Sequence, residues 1–146
     1  MRAVVQRAAW ARVSVAGEVV GSLDAPGFVV LVGVKGGDGQ AQAIAMASKL
    51  WGLRIMDDEE GRMNLSLAEV GGGLLVISQF TLYADTAKGR RPSYAAAAPG
   101  AVAEPLVERV VEQLRSLGAK VATGSFGAEM LVELANDGPV TLIIDT

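Results

Sequence analysis

Asn136-Asp137-Gly138-Pro139-Val140-Thr141 interrupts what would otherwise be one apolar run from Met130 to Ile144. Proline has a fixed φ and no N–H to give to a strand ladder, so within a sheet it belongs at edges, strand starts and bulges. Asn, Asp and Gly tolerate the backbone angles that turns need, and Gly-Pro is a turn dipeptide. The stretch therefore predicts a strand from Met130 that stops at Asn136, a hairpin corner, and a last strand from Val140 to Asp145.

Upstream of this corner the same periodicity argument orders the chain. Arg2 to Arg7 and Ala11 to Val15 are short β-branched runs, and Ala16-Gly17-Glu18 turns into Val19-Val20, so the N-terminus reads as a meander. Phe28 to Val34 is continuously apolar, as in a strand buried on both faces, and Lys35 to Gly39 ends it. Those glycines lack the Gly-Lys-Ser/Thr of a phosphate loop and read as a turn. Ile44, Ala47 and Trp51 recur at helical spacing from Gln40 to about Leu53, with Ala43, Met46 and Leu50 beside them and Asp38 as a candidate cap. Asp57-Asp58-Glu59-Glu60-Gly61 reads as the acidic, solvated tip of a hairpin, because its spacing does not match an EF-hand loop.

Leu74-Leu75-Val76-Ile77 predicts a buried strand continuing through Ser78-Gln79-Phe80-Thr81-Leu82-Tyr83. A core strand that turns polar at its C-terminal end is where α/β and barrel folds place sites, although an edge strand facing water gives the same pattern. Ala84 to Gly100 has no period and carries Lys88, Arg90 and Arg91, so it reads as a long surface loop. Glu104 to Leu117 is a helix with Leu106, Val110, Leu114 and Leu117 on one stripe, ended by Gly118. Lys120 to Thr123 is a short strand and Gly124 to Gly127 a turn. The alternation of strands and helices indicates a single mixed α/β domain spanning 1–146.

Composition removes several function classes. A chain of 146 residues, 51% hydrophobic, can bury about two-thirds of its unfolded surface. No apolar run reaches the roughly 18 residues of a membrane span, and the first residues lack a signal-peptide core, so a cytoplasmic protein is expected. With no cysteine and no histidine, disulfides, zinc-thiolate sites, thiol nucleophiles and an imidazole base are absent. The net charge of −3 means that a nucleic-acid partner would be held by a local patch such as Lys88-Gly89-Arg90-Arg91.

Taken together, Ser-Gln-Phe-Thr-Leu-Tyr at 78–83 and Asn-Asp-Gly-Pro-Val-Thr at 136–141 resemble the two signature motifs of the D-aminoacyl-tRNA deacylases, also called D-tyrosyl-tRNA deacylases. Met1 to Arg7, Lys88 to Ser93 and Gly124 to Met130 support the resemblance, which spans the chain in order; Ala8-Ala9-Trp10 departs from it. The resemblance implies a largely antiparallel sheet or partly closed barrel packed with two main helices. It implies a homodimer whose subunits exchange a cis Gly138-Pro139 turn that faces the substrate's chiral carbon, with Arg7 holding the turn. Ser78, Gln79, Phe80 and Thr81 are then the catalytic strand end. Phe126, Met130, Asn136 and Thr141 belong to the substrate and adenosine pocket, and Lys88, Arg90 and Arg91 touch tRNA. The implied substrate is tRNA carrying a D-amino acid or glycine, with no cofactor or metal. Two rival readings stay open at this level: a non-catalytic RNA-binding module, and a small protein that only dimerises through its sheet.

Overall fold

In the computed structural model, which describes residues 1–146, β1 runs unbroken from Arg2 to Val15. The two short runs expected there are one strand, and Ala8-Ala9-Trp10 carries it through as an irregularity in pairing. The chain continues through β2 (Glu18–Leu23), β3 (Gly27–Gly33) and helix α1 (Gln40–Gly52). A small hairpin of β4 (Met56–Asp57) and β5 (Met63–Leu65) precedes the single turn α2 (Leu67–Val70). Then come β6 (Gly73–Ser78), a 3₁₀ turn (Phe80–Tyr83), α3 (Gly100–Ser116), β7 (Lys120–Thr123) and β8 (Leu131–Asp145).

The main sheet is ordered β2-β1-β3-β6-β7, with β8 on β1. One edge of β1 is shared, residues 2–8 pairing with β3 and 11–15 with β2, while β8 covers the other edge almost end to end. All pairings of β1 are antiparallel, but β3, β6 and β7 run parallel, so the sheet is mixed and nearly closed. Closure brings β2 back against β7: a Cβ built on Gly21 would lie 2.4 Å from the Thr123 carbonyl oxygen, so only glycine fits there.

Because side chains alternate along a strand, a curled sheet covered by helices needs two cores. Phe28, Val30, Val32, Leu74 and Val76 face the helices and meet Met46, Leu50, Leu106, Val110 and Leu114. Val29, Leu75 and Ile77 face the inside of the curl, against Ala8, Ala11, Val13 and Leu23. The double burial expected of Phe28–Val34 is thereby explained. On α1 the buried stripe is Ala43, Met46, Ala47 and Leu50, all within the expected apolar set, while Trp51 is partly buried and Ile44 is exposed. On α3, Leu106, Val110 and Leu114 are buried and Leu117 is exposed. That helix begins at Gly100, with Pro105 inside it, rather than at Glu104; Ala103 and Leu106 pack into the core across the proline. Asp38 does not cap α1, whose N-cap is Gly39. Its carboxylate instead accepts from the Met1 ammonium at 2.9 Å and the Lys35 N–H at 2.8 Å.

Strand β8 is fastened to β1 near both ends by paired forks. Arg2 donates to both oxygens of Asp145 at 2.9 and 3.0 Å, and Arg12 to both oxygens of Glu133 at 2.7 and 2.8 Å. Each arginine holds its carboxyl below the usual range. A carboxyl that titrates lower in the folded chain stabilises it above the unfolded pKa of about 4, and this is lost as pH falls through the folded value. Urea midpoints measured from about pH 7 down to pH 3 should therefore fall less steeply in the Asp145→Asn/Glu133→Gln double variant than in the wild type. Parallel curves would mean that the forks contribute nothing.

Candidate active site

Strand β6 ends at Ser78, and the expected strand through Tyr83 is corrected to a 3₁₀ turn. The ladder with β3 lasts one residue more, through the Gln79 N–H to the Val32 carbonyl at 2.8 Å; the turn then closes from Leu82 N–H to Gln79 O and Ala84 N–H to Thr81 O. The Phe80 and Thr81 N–H groups precede the first of these bonds and have no partner inside the turn. The Thr81 hydroxyl accepts from the Gln79 side-chain amide. Tyr83, half-buried at the end of the turn with Arg2 over its ring, has its phenol pushed up to about 12 by burial and by Asp38 and Asp145, so it stays protonated near neutrality.

A cavity of about 510 Å³ opens where the parallel strands end, the usual place for a site in an α/β sheet. Val32 and Val34 of the β3 end, Ser78, Gln79 and Phe80 after β6, Phe126 and Met130 after β7, and Ala103 and Val107 of α3 line it. Its size suits a small organic group. No Asp, Glu, Lys or Arg lines it. The structure thus brings Ser78, Gln79, Phe80, Phe126 and Met130 into one wall, with Thr81 hydrogen-bonded to it. The contribution of α3 was missed because a small apolar helix face looks the same in a core and in a pocket.

The interruption at Asn136–Thr141 is not a hairpin corner. Both flanks pair with β1 in the same direction, Ala8 with Asn136 and Gln6 with Thr141, so β8 is one strand. Asp137 to Val140 bulge outward opposite Arg7. Asn136 closes the base of the bulge, its amide donating to the Arg7 carbonyl at 2.8 Å and the Val140 carbonyl at 3.2 Å. Gly138 has φ +118°, and the Gly138–Pro139 peptide is cis. A Cβ on Gly138 would stand 2.7 Å from the Val140 side chain and 3.2 Å from Arg7 Nη2.

Arg7 is buried, and its guanidinium is surrounded by acceptors. It donates to the Ile55 carbonyl at 2.9 Å, Asp57 Oδ1 at 2.8 Å and the Asp137 carbonyl at 3.3 Å, and lies 3.2 Å from Asp137 Oδ2. Asp57 is thus no part of a merely solvated tip: it answers a buried cation. Asp58 builds the tip itself, accepting the Glu60 and Arg62 N–H groups, and the Arg62 N–H above all keeps its carboxyl low. None of Arg7, Asn136, Gly138, Pro139 and Thr141 lines the cavity of its own chain. Lys88, Arg90 and Arg91 are exposed on their loop and form no ion pair.

Removing the guanidinium leaves two half-exposed carboxylates and a buried carbonyl unanswered. Arg7→Met should lower unfolding free energy by about 1–3 kcal/mol in urea titrations, and adding Asp57→Asn should recover part of it. A loss under about 0.5 kcal/mol would show that the turn stands without Arg7.

Comparison with known proteins converges on one group. A family model described as D-Tyr-tRNA(Tyr) deacylase matches residues 4–145. A D-aminoacyl-tRNA deacylase of Thermobifida fusca is 58% identical, covering 99% of this chain and 99% of its own, and one of Nocardia farcinica is 60% identical over the full length of both. The solved structure of a protein named c-Myc DNA Unwinding Element Binding Protein superposes with a TM-score of 0.94 at 36% identity, covering 100% of this chain and 99% of that one. The chain belongs to the D-Tyr-tRNA(Tyr) deacylase family.

Proposed function

We propose that the protein hydrolyses the ester joining a D-amino acid, or glycine, to the 3′ end of tRNA, releasing the free amino acid and the tRNA. The observation that carries this is a small-molecule cavity, in a chain of this family, with no ionisable side chain on its wall. Such a wall suits a substrate that is already activated: an aminoacyl ester beside a ribose 2′-OH needs positioning and stabilisation of the developing oxyanion more than a protein base. Water adds to the ester carbonyl with help from the 2′-OH, and the ribose 3′-oxygen leaves with a proton. The Phe80 and Thr81 N–H groups, unused by their own turn, are the donors proposed for the oxyanion. Ser78 and Thr81 position the ester. A Thr81 nucleophile would need a base to activate it, and none lines the cavity.

Chirality is assigned to the Gly138–Pro139 bulge of a second subunit in a homodimer. The bulge stands away from its own chain's cavity and is held outward by Arg7, which supports its use in a partner's site. A main-chain wall selects by collision, so it rejects L side chains, tolerates many D side chains and cannot reject glycine. Lys88, Arg90 and Arg91 meet acceptor-stem phosphates. A nucleic-acid-binding module without catalysis is the second reading, favoured by the DNA-binding name of the 36% identical protein and by the unpaired basic loop.

Purified protein should release D-tyrosine and glycine from tRNA while leaving L-tyrosyl-tRNA intact; equal rates on D- and L-tyrosyl-tRNA would refute the stereochemical role, and no release at all would favour the binding module. If Thr81→Ala abolished turnover and Thr81→Ser restored it at unchanged tRNA affinity, the threonine would be the nucleophile. Arg90→Gln/Arg91→Gln should weaken tRNA binding and lower its log–log salt slope by up to about 2, and an unchanged slope would leave the loop without a phosphate role.

A further inference from the structure

The pairing of Phe80 with an aromatic ring outside the cavity remains unexplained. Phe80 and Tyr94 pack edge to face, centroids 5.1 Å apart and planes at 70°. Both stay open to solvent, Phe80 at 56% and Tyr94 at 41% exposed. Phe80 lines the cavity, whereas Tyr94 stands beyond it on the loop that carries Lys88, Arg90 and Arg91.

That loop is pinned rather than free. Asp85 and Ser93 exchange backbone hydrogen bonds at 2.7 and 2.9 Å, closing a small flap around the three cations. The Ala97 N–H donates to the Tyr94 carbonyl at 3.0 Å, and the Ala98 N–H ties the segment to Val34 of the cavity wall at 2.9 Å. A route therefore leads from the cavity across Phe80 to Tyr94 and on to unpaired basic side chains. Exposed ring faces beside free cations are what a single strand of nucleic acid needs: bases stack on the rings and phosphates meet the charge. The edge-to-face contact holds the Tyr94 ring while the residue stays 41% exposed, so a base would stack on a surface that is already ordered.

We infer that Tyr94, backed by Phe80, is a stacking platform for an unpaired nucleobase adjoining the terminal nucleotide of the substrate. The inference rests on the deacylase reading above and adds a binding step outside the reacting centre. It makes affinity depend on a single-stranded 3′ end of more than one nucleotide.

The test compares two minimal substrates, a 3′-D-aminoacyl-adenosine and a D-aminoacyl trinucleotide ending in the same adenosine. For the wild type the trinucleotide should show the lower KM. In Tyr94→Ala the ratio of trinucleotide KM to adenosine KM should rise by about 5- to 100-fold, with the ratio of the two kcat values unmoved, because stacking acts on binding alone. Tyr94→Phe should keep the wild-type ratio, and Tyr94→Leu, apolar but without a π face, should lose it. An unchanged KM ratio in Tyr94→Ala overturns the inference, as does a Tyr94→Phe variant that behaves like Tyr94→Ala. Loss of a dimer in Tyr94→Ala, seen by sedimentation, also overturns it by making the ring a subunit contact. If the wild type hydrolyses neither substrate nor D-aminoacyl-tRNA, the deacylase reading itself has failed; hydrolysis of both substrates with no stacking effect sinks only the platform.

Discussion

A buried guanidinium at the middle of β1 is the constraint around which both halves of this structure are arranged. A cation taken out of water must be surrounded by acceptors, and Arg7 recruits them from two distant parts of the chain. The β4–β5 hairpin supplies Asp57 and the Ile55 carbonyl; the bulge in β8 supplies Asp137. Lysine would not replace it, because a single ammonium lacks the planar fork of donors that reaches all of these groups at once. The bulge is therefore an ordered projection. It is clamped from below by Arg7 and closed at its base by Asn136.

The same strand organises the rest. One edge of β1 carries β3 and then β2, and the other carries β8, so the strand bridges the helix-covered part of the sheet and its curled part. Where the parallel strands β3, β6 and β7 end together, their C-terminal residues and the face of α3 leave a cavity that no side chain fills. The projection contributes no residue to the cavity of its own chain, and the proposal that it serves a second copy rests on that. No ionisable side chain lines that cavity, which is the feature on which the proposed reliance on backbone N–H groups and on the substrate rests.

Much of this was legible from residues alone. The change from Leu74–Ile77 to Ser78–Thr81 marked the end of a core strand, and that end does line the cavity. The interruption at Asn136–Thr141 marked a special backbone segment. Its form was not legible: a hairpin corner and a bulge have the same local sequence, and they differ only in whether the two flanks pair with each other or with a third strand. Trp10 and its neighbours likewise looked like a break because the continuous pairing of β1 with β8 is a long-range fact. Asp38 was a reasonable cap by position, but the Met1 ammonium, far away in sequence, took its carboxylate.

The sequence by itself determined the mixed α/β class, the two main helices, the strand buried on both faces, the lack of imidazole and thiol chemistry, and the two motifs. These follow from side-chain period, turn chemistry and residue types, all of which act over a few positions. Only the tertiary structure decided that β1 and β8 are long continuous partners, that Asp57 answers Arg7, that the polar strand end closes as a 3₁₀ turn, and that the projection lines no part of its own chain's cavity. Each of those is a choice of partner between residues far apart in the chain, made by the need to pair buried charge and backbone groups, and local preference carries no information about it.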